Sequence, residues 1–479
     1  MKTYDLIVIG TGSAMNVVDA MLRSRPDMKI AVIDKDEPGG ICLTRGCIPS
    51  KILLYPAELV RLIEKGRELG VSCDSVRVDF GGIMDRMRSL IGKDISQIKY
   101  ALENSENIDY YHDVAEFVSP YTLRVGSEQI TSNMIFLCTG SKTIIPDIEG
   151  IDDVGYLTSD TILSLRELPD SIAIVGGGYI AAEYGHFLSA MGSQVTIIGR
   201  NKQFLPEEEP EVSRVVKQEL GRHITILTGH EVVKAERKAG KKVLTAVDRL
   251  SDKKITLEAD EIMIAAGRGP LNDILHPERS NIQTTPDGWI KVNEYLETSQ
   301  PGIWAMGDAD GKHLFKHVAN YESEVLYYNA VLKKRVKVDY SAVPHAVFTH
   351  PEVAAVGMGE REAIRKYGKD SILIGYYRYQ DTAKGEAMAA KDYFVKILVR
   401  SEDYTILGAH IVGPDASILI HDIIVAMYSH ERSLSPIMSS MFIHPALNEV
   451  VQRAAGNLLS VDEYHRILQE SGLELESII

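Results

Sequence analysis

Cysteine is scarce in this chain: four residues among 479, at Cys42, Cys47, Cys73 and Cys138. Four are too few for a disulfide scaffold, and the wide separation of Cys73 from Cys138 leaves no second pair to complete a zinc site. Also missing is any apolar run near the roughly 20 residues that a bilayer-spanning helix needs. Basic charge is in deficit, with a net charge of -15 and a pI near 5.5. That balance argues against a nucleic-acid footprint, which needs a basic face, and is read as surface solubility. The opening MKTYDLIVIG starts a strand at once and leaves no room for a cationic leader, an apolar region and a cleavage site, so a cytoplasmic location is expected. At roughly 100 to 200 residues per domain, the length implies two to four domains.

What is present is a repeat. Residues 5 to 34 read as an apolar strand, a glycine-rich turn, a helix and a second apolar strand ending in an acid. Gly10 would make the tight turn and Gly12 would admit a pyrophosphate to the backbone at the helix N-terminus, while Asp34 would accept hydrogen bonds from a ribose diol. Met15 stands where the third glycine of this pattern belongs. The pattern returns at 171 to 200 with Gly176, Gly178 and Ala181 in the three key positions. Each copy closes with an apolar strand running into a glycine, MIFLCTGS at 134 to 141 with Gly140 and IMIAAGRGP at 262 to 270 with Gly267.

The expected fold is therefore α/β, with two Rossmann-like nucleotide-binding domains, the second inserted in the first, and a C-terminal α+β domain. Boundaries are expected at 1–148 and 271–341 for the split first domain, 149–270 for the inserted one and 342–479 for the third. In WAMGDAD, Asp308 follows a strand-end glycine and suits the hydroxyls of a second cofactor segment.

The segment GGICLTRGCIPSK, 39 to 51, sets Cys42 and Cys47 five residues apart just after the first glycine turn. In an ideal helix that spacing rises roughly 7.5 Å, beyond the roughly 7 Å a disulfide tolerates. A bridge needs a half-unwound turn, for which Gly39, Gly40 and Gly46 supply the freedom ahead of the helix that Pro49 and Lys51 enter. A thiol near that helix start would be held as a thiolate, which suits a redox pair. Two unlinked buried thiols are the alternative.

These segments, with FIHPALNEVV at 442 to 451, resemble the flavin-dependent pyridine nucleotide-disulfide oxidoreductases over residues 4 to about 455. The resemblance implies FAD and NADPH or NADH as cofactors and a redox-active disulfide of Cys42 and Cys47. Cys47 would exchange electrons with the flavin and Cys42 would attack the substrate. It further implies that Lys51 lies by the flavin paired with Glu183, and that Tyr179 covers the flavin until nicotinamide displaces it. His444, oriented by Glu449, would be the acid-base group, contributed across a homodimer interface formed by the third domain. The substrate implied is a small thiol or disulfide. Some segments are more similar to mycothione reductase, while the redox segment is as close to dihydrolipoyl dehydrogenase, a component of 2-oxoacid dehydrogenase complexes.

The inserted domain's ribose strand ends VTIIGRNKQF, where Gly199 is followed by Arg200 and Lys202 and no acid stands to bind a 2'-hydroxyl. Two cations suit a 2'-phosphate, so NADPH is expected over NADH; the alternative is a solvated basic loop. Cys138 is expected to act as a small buried apolar residue.

Overall fold

The structure is a computed structural model that describes residues 1–471; residues 472–479, the end of the expected third domain, lie outside them. Strands Leu6–Ile9 (β1) and Ile30–Ile33 (β2) bury every side chain, as parallel strands covered on both faces must. The two-residue period of the pleat divides these residues between two cores. Leu6, Val8, Ile30 and Val32 pack with Val17, Val18 and Met21 of helix Ala14–Ser24 (α1), whereas Ile7, Ile9, Ala31 and Ile33 pack with Ala115 and Phe117. Met15 is half-buried against the first of these cores, which also takes in Val325 and Leu326.

The first sheet runs in the order Ile303–Ala305, Ile135–Leu137, β1, β2 and Ile108–Tyr111, all parallel. A strand from residue 303 thus completes a sheet begun at residue 6. Between them stands a second five-stranded parallel sheet, ordered Leu157–Thr158, Glu261–Ile264, Ser171–Val175, Gln194–Gly199 and Thr225–Thr228. The chain leaves and re-enters the first unit through Ser141–Thr143 and Arg268–Pro270, which pair antiparallel. The fold is the expected α/β pair with one unit inserted in the other.

The repeat also survives at atomic scale. A Cβ on Gly10 (φ 110°) would fall 2.1 Å from the Cys138 carbonyl oxygen, and one on Gly176 (φ 142°) would fall 2.1 Å from that of Ala265. Each turn passes against the end of its unit's closing strand, so no side chain fits there.

The third unit is a six-stranded antiparallel sheet, ordered Pro344–Val347, Glu352–Gly357, Ile406–Gly413, Phe394–Arg400, Ile372–Arg378 and Leu458–Ser460. It shares one apolar core with the inserted unit, which also takes in Leu53 and Leu54. A polar knot joins the same two units. Lys396, fully buried, reaches Glu209, Glu211 and Glu360 at 2.5, 2.6 and 2.7 Å. Tyr464 donates to Glu211 at 2.6 Å, and His465 meets Glu360 at 2.7 Å. The ammonium sits where a metal would otherwise bind these three carboxylates. No helix of the described residues is long and apolar enough to cross a membrane.

A candidate redox active site

One cleft runs from the first glycine turn to the inserted unit, enclosing about 1550 Å³ with its open mouth included. Gly10, Gly12, Asp34, Gly140 and Asp308 line it, together with Cys42, Cys47, Lys51, Tyr179 and Glu183. The thiols sit on either side of a break between helices Gly40–Arg45 (α2) and Cys47–Gly66 (α3). Gly46 makes the break, at φ -126° and ψ -119°, and a Cβ there would come 2.8 Å from the Ile41 carbonyl oxygen. The unwound turn leaves the two thiols facing each other, each the strongest influence on the other's proton.

The pair is electrostatically unequal. The hydrogen bond from Cys42 pushes the Cys47 thiol down to about 6; burial opposes the shift and the Lys51 ammonium adds to it. Cys42, donating that bond and partly buried, is pushed up. As the first residue of α3, Cys47 also lies at the positive end of the helix dipole.

Lys51 lies one turn further along α3 and reaches both Glu183 oxygens, at 2.9 and 2.8 Å. Glu183 also accepts from the Phe348 backbone amide at 3.0 Å, and the Lys51 ammonium stands 4.6 Å from the centre of the Phe348 ring. Tyr179 opens the same helix as Glu183, Tyr179–Met191, and burial pushes its hydroxyl up to about 12.

Asp34 stands at the end of β2, with part of its hydrogen-bonding capacity already used. One oxygen accepts from the Thr11 amide at 2.9 Å and the Thr11 hydroxyl at 2.5 Å, and the other accepts from the Asp36 amide at 3.0 Å. The Thr11 hydroxyl in turn accepts from the Gly39 amide at 3.0 Å, tying the glycine turn to the redox segment. Asp308 accepts from Ser141 at 2.5 Å, whose oxygen accepts from Arg268 at 2.7 Å, and burial raises the Asp308 carboxyl. Cys138 is only half-buried as a residue and lines the cleft wall, although desolvation pushes its thiol up.

His444 does not line this cleft. Its Nδ1 meets Glu449 at 3.0 and 3.1 Å, its side chain is 69% exposed, and Met441 and Ile443 beside it are bare. The hydrogen bond from His444 holds the Glu449 carboxyl below its usual range.

The family model described as pyridine nucleotide-disulphide oxidoreductase matches residues 4–331, and its dimerisation domain matches residues 343–455. The chain belongs to this family. Mycothione reductase of Mycobacterium tuberculosis is 33% identical over 465 residues, covering 95% of this chain and 99% of the relative. Dihydrolipoyl dehydrogenase 3 of Haloarcula marismortui is 33% identical over 473 residues, covering 95% and 96%. Among solved structures, the Cu(II) complex of the HOCl-induced flavoprotein disulfide reductase RclA from Escherichia coli superposes with a TM-score of 0.84 at 26% identity, covering 95% of this chain and 99% of that one.

Members of the family are FAD-dependent enzymes that use NAD(P)H, and this oxidoreductase has the residues for both. The first cleft fits FAD: the Gly10 turn excludes a Cβ, α1 points its N-terminus into the space, and Asp34 and Asp308 offer acceptors at separate points along it. In the inserted unit Gly178 caps the helix with open space beside it, Ala181 is fully buried, and Gly267 holds a left-handed turn at φ 119°. Arg200 and Lys202 are exposed beyond the ribose strand, apart from the residues of the first cleft.

Residues absent from the sequence reading complete the picture. Arg249 donates to the Arg200 carbonyl at 3.2 Å, adding a cation to that surface; only the strand register brings it there. Thr11, Ser141 and Arg268 hold the two acids, and Lys316 joins the thiol cleft. Lys316 had one legible signal: a cation at the start of a helix opposes the dipole.

Proposed function

We propose that this enzyme is a low-molecular-weight disulfide reductase related to mycothione reductase, using FAD and preferring NADPH. The observation that carries the reading is the placing of the Cys42 and Cys47 thiols on either side of a helix break, in one cleft with the Lys51–Glu183 pair and the first glycine turn. FAD, when bound, supplies what side chains lack, accepting a hydride and releasing an electron pair. The dithiol then does the sulfur chemistry. His444 takes the Cys42 proton as that sulfur attacks one sulfur of the substrate, breaking its S–S bond and forming a mixed disulfide, and His444 then gives the proton to the departing thiolate. The Cys47 thiolate attacks Cys42, the second substrate thiolate leaves, and a Cys42–Cys47 disulfide remains, two electrons poorer.

His444 belongs to the neighbouring subunit's site in this reading. Its exposure, the bare Met441 and Ile443 and the matched dimerisation domain support a homodimer in which each cleft borrows the partner's acid-base group. Arg200, Lys202 and the nearby Arg249 support NADPH. Thiols at Cys47 and Cys73 that are open to solvent suit a reducing compartment, the cytoplasm.

Equal identity to a dihydrolipoyl dehydrogenase supports a second reading, in which the same machinery oxidises dihydrolipoamide with NAD as a component of a 2-oxoacid dehydrogenase complex. One experiment separates them: anaerobic titration with one equivalent of NADPH or NADH, then a panel of small disulfides, and dihydrolipoamide with NAD. Long-wavelength thiolate–flavin absorbance that appears with NADPH and is discharged by one disulfide supports the reductase. Turnover confined to dihydrolipoamide and NAD supports the second reading. Bleaching of the flavin without that absorbance removes Cys47 from the electron path and sinks both.

A further inference from the structure

Lys316 is the first residue of the helix Lys316–Leu326 and lines the cleft with Cys42 and Cys47. Its position is unfavourable twice over, because the helix dipole opposes a cation at that end and burial lowers its pKa. Among the described residues no carboxylate forms an ion pair with it. Its ammonium donates to Ser13 Oγ at 2.8 Å, and that hydroxyl donates to Asn320 Oδ1 at 2.9 Å, which keeps the chain directed into the cleft. The charges that face it are those of Cys42 and Cys47. Lys51, the other cation beside the thiols, is already matched by Glu183 at 2.8 Å.

We propose that Lys316 is a positioning residue of the redox centre: it supplies beside Cys42 a positive charge that no carboxylate pairs with among the described residues, and holds the reduced Cys42–Cys47 pair as a thiolate ready to attack. This rests on the disulfide reductase reading and adds to it a second cation, set on a different element from Lys51. The neighbouring groups leave this task open. Cys42 faces Cys47 and Lys316, while Cys47 faces Cys42, Lys51 and Glu183. Tyr179 and Tyr184 also face Cys47, with hydroxyls kept neutral by burial. At Cys47 the Lys51 cation outweighs Glu183, whereas the cation that acts on Cys42 is Lys316. The pair shares its first proton, so the quantity affected is the apparent pKa of the dithiol.

The test uses the FAD-loaded protein, reduced by NADPH and alkylated with iodoacetamide from pH 4.5 to 9, with the modified cysteine identified by mass spectrometry. Removing one unscreened charge from a partly buried thiol raises its pKa by about one unit, or about tenfold in alkylation rate below the pKa. Lys316→Met is expected to show that shift at Cys42 and Lys316→Arg to reverse it. Lys316→Gln, which keeps a hydrogen-bonding group for Ser13, separates charge from shape and is expected to shift as the methionine variant does. A wild-type profile in Lys316→Gln, or superposed profiles in all variants, overturns the proposal. A wild-type protein in which NADPH exposes no alkylatable Cys42 overturns the disulfide reading itself, a result distinct from superposed profiles on a Cys42 that titrates.

Discussion

Replacing Cys42 tests the inequality of the thiol pair directly. The Cys42 hydrogen bond is the largest cause holding Cys47 near a pKa of about 6, ahead of the Lys51 charge. Cys42→Ala removes that donor, whereas Cys42→Ser keeps an O–H in its place. A hydrogen bond to a charged group contributes about 1.5–3 kcal/mol, and Cys47 is open to solvent in the cleft, so the lower end applies, about one pKa unit. At pH 6.5 the Cys47 thiolate fraction should fall from about three quarters to about one quarter in Cys42→Ala, while Cys42→Ser stays close to the reduced wild type. Thiolate absorbance near 240 nm, read as a difference spectrum over pH, follows the titration in the protein alone. Long-wavelength absorbance follows it with FAD bound. Alanine and serine variants that titrate together within about half a unit would refute the assignment and make Lys51 and the α3 dipole the dominant causes.

Four further outcomes follow from the same geometry. Co-expressed Cys42→Ser and His444→Ala subunits should regain about a quarter of wild-type turnover, since half of randomly paired dimers carry one intact site of two; no recovery would put His444 and Cys42 of one chain in the same site. Arg200→Ala should lower kcat/KM for NADPH about tenfold and leave NADH unchanged, the loss of one charge-assisted phosphate contact, and equal kcat/KM for the two nucleotides in the wild type would end the NADPH reading. Lys396→Met should cost about 3–5 kcal/mol or more, because it strands three buried carboxylates, and should appear as loss of soluble protein or early unfolding by circular dichroism. Burial alone would raise Glu209, but Lys396 holds it down at about 2, so its stabilisation is complete above the ordinary carboxylate range and is lost as pH falls from about 4.5 toward 2. Wild-type stability unchanged across that window would exclude the knot from the acid response.

Apolar runs, glycine turns and thiol spacing made much of this protein legible before any coordinates. Gly10 and Gly176 are readable because a strand that must turn against a carbonyl admits no side chain, and that constraint acts within a few residues. The Cys42–Cys47 spacing is readable for the same reason, since Gly46 alone relieves the clash with Ile41. Asp34 was legible as the acid of the ribose strand, but its engagement with Thr11 was not, because that depends on which way the turn folds over β2.

Taken alone, the sequence determined the two nucleotide-binding units and their nesting, because both are written in local periodicity, while the thiol pair and the His444–Glu449 segment were legible as a resemblance to the family. Tertiary structure decided which charges meet. Lys51 finds Glu183 132 positions away, Lys316 reaches Ser13 303 positions away, and Lys396 closes a knot with Glu209 across 187. Such pairs leave no local pattern, since their partners are chosen by the packing of separate units. It also left His444 facing outward, 69% exposed, while the cleft formed elsewhere in the chain. A helix-end motif records the pairing of His444 with Glu449, whereas only the surface of the folded molecule records which site that histidine is free to join.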